Sequence, residues 1–242
     1  MNDLELTQQT NEELKANDNI ELLDNNNEET KEIEEITDDL IESYVDEYST
    51  PKVLREHIYK NEKGEPLFKV NRNDTEDTNN KFTTYHFEKG EWRLGLSDKK
   101  RIPYDLPELL EAVEDNKPIF ITFGEKDADT ITELLENRAV ATTALTSSTK
   151  KWKSEFNEYL KGESLIIVLE DNTEKGKEFT ENIRKKLRFK CKNLKKLSIE
   201  KMKISLKILE TDVTDITEIR EKLENDEKLR KILNRILDKL ST

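Results

Sequence analysis

The chain has 242 residues, with 54 Asp and Glu against 41 Lys and Arg, and a formal net charge of −13. Apolar residues make up 33% and charged residues 39%, so part of the chain buries too little apolar surface to fold, while the rest has room for one domain with appendages. No run approaches the ~18 apolar residues of a membrane span, the start MNDLELTQQTNEELK lacks the basic and apolar regions of a signal peptide, and the single Cys191 with only His57 and His86 assembles neither a disulfide nor a Cys/His zinc cluster; a cytoplasmic protein is expected.

The acidity is local. Residues 1–50 hold 17 acids and two lysines, a net charge of −15, which leaves residues 51–242 at +2. Residues 1–27 show no sustained period and read as a disordered tail. From Glu28, Ile33, Ile36, Leu40, Ile41, Tyr44, Val45 and Tyr48 recur at helical spacing, an apolar stripe that needs a surface to pack on. Pro51 marks the boundary. Over 51–105 the punctuation is that of hairpins: NEKGEP separates KVLREHIYK from LFKVNR, and EKGE separates KFTTYHF from WRLGL. NRNDTEDTNN is the loop between them. His57 and His86 read as ordinary sheet residues, and Trp92 as a sheet-packing aromatic.

From 106 to 242 helical and strand patterns alternate, which predicts an α/β domain with a sheet covered by helices. PELLEAVED is a predicted helix and PIFITF a buried strand. EKDADTITELLEN is a helix ending near Arg138, AVATT a strand, TKKWKSEFNEYL a helix, and SLIIVL a second apolar strand. EDNTEKG is a turn into the helix KEFTENIRKKL. KKLSIEKM and ISLKIL supply one or two further strands, and the last 26 residues before Ser241 one or two helices.

Ligands of open α/β sheets bind beyond the carboxyl ends of strands, and three predicted strand ends deliver acids there. They carry Glu125, Asp127 and Asp129 after PIFITF, Glu170, Asp171 and Glu174 after SLIIVL, and Asp212 and Asp215 after ISLKILE. Such a set suits a divalent cation with oxygen ligands. The same acids would equally cap helix N-termini, where the macrodipole favours negative charge.

GEKDAD after an apolar strand, VATT, the pair Lys151 and Trp152, then LKGESLIIVLEDNTEKG and the Asp-Val-x-Asp element at Asp212 to Asp215, taken in order, resemble the Toprim domain of primase-like proteins from phages, plasmids and mobile elements. YHFEKGEWRLGL and RIPYDLPELLEAV are similar to the segment that precedes Toprim in that group, so the resemblance runs over roughly residues 52–220. It implies a Rossmann-like sheet flanked by helices, preceded here by a small antiparallel β region and the acidic tail. It also implies a glutamate before the first glycine as general acid or base, and an Asp-x-Asp pair holding magnesium. This sequence departs at both places: Phe123 stands before Gly124, and the pair is Asp171 and Thr173. Loss of a positioned acid or base typically costs ~10²–10⁴ in rate.

The resemblance thus implies a replication-associated module whose catalysis has lapsed. Glu125 and Asp127 remain as catalytic candidates, and Asp127, Asp171, Asp212 and Asp215 as ligands of a weakly held magnesium ion, the one cofactor implied. Lys126, Lys150, Lys151 and Lys153 with Trp152 suit contact with single-stranded DNA, though an ordinary helix anchor is the favoured role of Trp152. The expected partners are DNA or a replication protein such as a helicase. No GxxxxGK[ST] phosphate loop is present for a helicase of its own. A protein-interaction factor working through the acidic tail, and a metal-dependent nuclease or active primase subunit, are the competing readings. Residues 175–207 carry 13 Lys and Arg against Glu178, Glu181 and Glu200, a local net charge of +10 that attracts phosphate backbones.

Overall fold

Two hairpins build the first layer. In the computed structural model, which describes residues 52–76, 81–145, 152–160, 164–208, 212–223 and 226–241, strands β1 (Val53–Lys60), β2 (Pro66–Asn73), β3 (Phe82–Glu88) and β4 (Glu91–Leu94) form an antiparallel sheet in the order β1-β2-β3-β4. The β1–β2 turn is closed by Asn61, whose Oδ1 accepts from the backbone N–H of Lys63 at 2.9 Å and of Glu65 at 3.0 Å. Between β3 and β4 only Lys89 and Gly90 intervene, at φ 52° and 87°. Positive φ at both central positions is what a two-residue turn needs to match the twist of the strands. Tyr59, Phe68 and Val70 point inward and are buried, with Tyr59 stacked on Phe68 at 4.5 Å. Trp92 packs on Phe87 across the β3–β4 pair, 5.0 Å between rings.

The second layer is a parallel sheet of β5 (Ile119–Ile121), β6 (Val140–Thr142), β7 (Ile166–Glu170) and β8 (Leu194–Ser198), in the order β6-β5-β7-β8. Helices α1 (Leu106–Glu114), α2 (Glu125–Leu135), α3 (Glu174–Leu187), α4 (Ile199–Leu206), α5 (Ile216–Lys222) and α6 (Asp226–Leu240) accompany it. Ile119, Phe120, Ile121, Ile166, Ile167 and Val168 are all fully buried, the continuous apolar run expected of strands covered on both faces. Residues Pro51–Thr242 form one compact unit, and Tyr59, Phe68 and Val70 of the first sheet belong to the same core as the second. The chain is therefore a mixed α/β protein with an antiparallel region ahead of a helix-flanked parallel sheet.

Some boundaries differ from the sequence reading. ISLKIL is no strand: Ile199, Met202, Lys203 and Leu206 are buried on one face of α4, so a 3.6-residue period prevails and only Leu194–Ser198 of the preceding segment pairs with β7. Within TKKWKSEFNEYL, Ser154–Leu160 is a 3-10 helix that buries Phe156, Asn157 and Leu160. EDNTEKG contributes a turn only as far as Thr173, because Thr173 caps α3 by accepting from the N–H of Gly176. Residues 1–50 and the loop tip at 77–80 lie outside the described residues, and with them the expected acidic tail and its helix.

Candidate functional site

Strand β5 passes to β6 on one side, and the chain then crosses to β7 on the other. The carboxyl ends of β5 and β7 therefore flank the topological switch point where open α/β sheets open a crevice. Phe123 and Gly124 follow the first strand and Asp171 to Thr173 the second. Phe123 turns its ring onto Phe179 of α3, 5.3 Å between centroids at 65°. An apolar pair thus occupies the place where the resemblance implies a proton carrier.

Asp171 is buried and accepts on one oxygen, Oδ1, from the Thr173 N–H at 2.9 Å and the Thr173 hydroxyl at 2.7 Å. The Thr173 hydroxyl oxygen in turn accepts from the Gly176 N–H at 3.0 Å. The residue that reads as a missing carboxylate is thus the N-cap of a 14-residue helix, where threonine is among the favoured residues. Gly176 is required here: a Cβ on it would lie 1.7 Å from Asp171 Oδ1.

Asp127, in the first turn of α2, is also buried, and its Oδ1 accepts from the Thr217 hydroxyl at 2.8 Å. Thr130 and Thr217 share a hydrogen bond of 3.0 Å. Asp215 caps α5, accepting from the Glu218 N–H at 2.8 Å, while Glu218 Oε2 accepts from the Thr214 N–H at 2.6 Å. The loop carrying Thr214 is held to the β7 end by the Asn172 N–H donating to the Thr214 carbonyl at 2.7 Å. Three carboxyls from separate elements thus come near one another, and burial raises all three pKa values, with Asp215 the next cause for Asp127. Among the described residues no group of three His, Cys, Asp or Glu side chains comes together as a metal-holding set. Asp212 is exposed.

Glu125, the first residue of α2, is engaged by the antiparallel sheet. It is buried, and its Oε1 accepts from the Tyr59 hydroxyl of β1 at 2.7 Å. Burial, and after it the Glu125 charge, lifts the Tyr59 pKa well above its ordinary value. Beside it, buried His57 places Nδ1 3.2 Å from Asp129 Oδ2, and the Tyr104 hydroxyl donates to Asp129 Oδ1 at 2.9 Å. Asp105, next to Tyr104, is pushed up to about 7 by burial, with the charges of Glu108 and Asp129 adding to it. This His57–Tyr59–Tyr104–Glu125–Asp129 network joins the antiparallel sheet to α2. Sequence reading did not connect these residues because they come from segments with no local signal in common; His57 lies in β1 opposite Val70, a sheet residue as expected.

Of the basic candidates, Lys126 pairs with Glu221 at 3.1 Å. Lys153 is exposed and lies 3.4 Å from Glu155. Trp152 takes the anchoring role favoured from the sequence over base stacking: it is fully buried, packs edge-on against Phe156 and donates its indole N–H to Asn157 at 3.0 Å. No face of its ring is open to a base. Lys150 and Lys151 lie outside the described residues.

The chain is similar to a solved structure of the DnaG catalytic core, with a TM-score of 0.47 and 14% identity over 73% of this chain and 51% of that one. It therefore spans about half the length of that structure. No family model matches the sequence, and no curated protein does. Among the described residues no helix is long and apolar enough to cross a membrane.

Proposed function

We propose that this chain is a replication-associated, Toprim-like module that has given up catalysis and acts by binding a DNA strand, or a replication protein such as a helicase working on one. The observation that carries the reading is the Phe123–Phe179 contact at the switch point. A side chain that exchanges no proton stands where the resemblance implies an acid or base, and general acid–base catalysis is worth about 10²–10⁴ in rate. The state of the remaining acids supports it: Asp171 is spent on orienting Thr173, and Asp127 on Thr217. The binding half of the reading rests on charge, since residues 175–207 carry a local +10 in a chain whose total is −13.

The test uses the full chain. Anisotropy of a labelled single-stranded oligonucleotide across a salt series should show affinity falling steeply with salt. The same preparation with magnesium and nucleotides should yield neither primers nor cut strands. Magnesium-dependent primer synthesis or cutting that Asp171→Ala abolishes would overturn the loss of catalysis. Absence of binding at low salt would overturn the nucleic-acid half and leave the protein-partner account.

A further inference from the structure

Helix α3 separates two different ends of the molecule. Its 14 residues span about 21 Å at 1.5 Å per residue, from the Asp171 turn to the segment LRFKCK at residues 187–192. That far end concentrates cations: Arg184, Lys185 and Lys186 occupy the last turn, and Arg188, Lys190 and Lys192 follow within five residues. The helix C-terminus carries about half a negative charge, which one or two cations offset. Six therefore leave a local excess of positive charge.

Not all of it is free to meet a ligand. Arg184 pairs with Glu181 at 2.7 Å and Lys190 with Glu158 at 2.9 Å. Lys186 donates to the Trp152 carbonyl. Lys185 and Arg188 are exposed and make no ion pair among the described residues. Together with Glu181, Arg184 and Leu194 they line a shallow cavity of about 180 Å³.

In the middle of this run stands Phe189, 85% exposed. Single exposed hydrophobic residues are ordinary; what distinguishes this one is its setting. The Arg188 guanidinium lies 4.4 Å from the ring centroid and covers one face. The same Arg188 borders the cavity, so a single residue joins an aromatic surface to a cationic depression. Alternating aromatic and cationic groups are what a single strand requires, stacking for its bases and positive charge for its backbone.

We propose that the C-terminal end of α3 is a docking platform for a single nucleic-acid strand, with Phe189 stacking a base and Lys185, Arg188 and the adjoining cavity holding the neighbouring phosphates. The inference rests on the nucleic-acid-binding reading above and moves the contact from the acidic switch point to the opposite end of α3. Stacking and phosphate contact are shared by DNA and RNA, so the test carries one arm of each.

The experiment measures affinity of the full chain for labelled dT20 and U20 over a salt series. Phe189→Ala, at an exposed position, should weaken binding by about 5- to 100-fold, as loss of one stacked base predicts, and Phe189→Trp should restore it. Replacing Lys185 and Arg188 together by Gln should lower the slope of log K against log salt by about 1.4, at about 0.7 per phosphate contact on a single strand. A preference for dT20 or for U20 names the strand, and either supports the platform. Photocrosslinking with 5-iododeoxyuridine in the dT20 arm should place the adduct on the peptide containing Phe189. If the unmodified chain binds and these variants bind equally well, or the adduct maps elsewhere, the platform is overturned while the nucleic-acid reading stands. If the unmodified chain binds neither strand at low salt, the reading itself falls and the platform with it.

Discussion

Adding a methyl group at Gly176 would bring it within 1.7 Å of the Asp171 carboxylate, whose orientation is fixed by two hydrogen bonds from Thr173. Gly176→Ala must therefore displace Asp171, break those bonds and loosen the cap of α3. Overpacking costs about 1–3 kcal/mol and each of the two lost hydrogen bonds about 1 kcal/mol, so chemical denaturation should show a loss of about 3–5 kcal/mol. Equal stability would mean that the turn is not built around Asp171. Asp105 makes a prediction in pH. Its carboxyl is raised to about 7 by burial and by Glu108 and Asp129. The folded state then holds a proton that the unfolded chain releases near pH 4, so the stability tied to this group is full below about 4 and is lost as pH rises through about 7. Asp105→Asn keeps the shape and tolerates the left-handed backbone at φ 51°. It should flatten the profile of Tm against pH between about 4 and 7 and stabilise the protein at pH 8 by about 4 kcal/mol at most. A variant whose profile runs parallel to that of the unmodified chain would show the acid to be ionised throughout.

Among the elements, one side chain clamps three segments around the C-terminal helices. Arg220 of α5 donates from Nε and Nη2 to the two oxygens of Asp226 at 2.9 and 2.7 Å, and from Nη1 to Glu133 of α2. These hydrogen bonds raise its pKa further. A lysine has no fork with which to grip two carboxylates at once. Arg220→Lys should therefore cost about 1 kcal/mol, and Asp226→Asn added to it should cost little more; full additivity in that double-mutant cycle would show the clamp to be idle. Much of this scaffold was legible beforehand. The glycine turns at Gly64 and Gly90 announced the hairpins, and the apolar runs PIFITF and SLIIVL announced strands buried on both faces. ISLKIL misled because six residues of alternating character hold less information than the four buried positions of α4, which only appear once Ile199 and Met202 are counted in. At the site, Asp127, Asp171 and Asp215 were legible as carboxylates near one sheet edge. Thr173 was not legible as a cap, since the same letter reads as a lost ligand. The Tyr59–Glu125 bond joins residues 66 apart in sequence, and no local pattern records such a partner.

At the scale of the whole molecule the governing fact is the opposition between a −15 segment at residues 1–50 and the +10 of residues 175–207. Residues Pro51–Thr242 form a compact unit by themselves and carry +2, so they can be studied without the acidic segment. Removing it should tighten binding of a single strand several-fold at low salt. Two causes would give that result, and salt separates them. Repulsion at a distance between the acidic segment and the strand is screened over the Debye length, about 30 Å at 0.01 M and about 8 Å at 0.15 M, so an advantage of that origin fades by physiological salt. Occupation of the cations themselves is a contact effect, and part of it survives at 0.15 M. A peptide of residues 1–50 added to the shorter chain provides the second arm: if it competes with the strand at 0.15 M, and competes less once Lys185 and Arg188 are replaced by Gln, the acidic segment and the strand share the α3 platform. If deletion changes affinity at no salt concentration, the acidic segment plays no part in strand binding and its charge serves another surface.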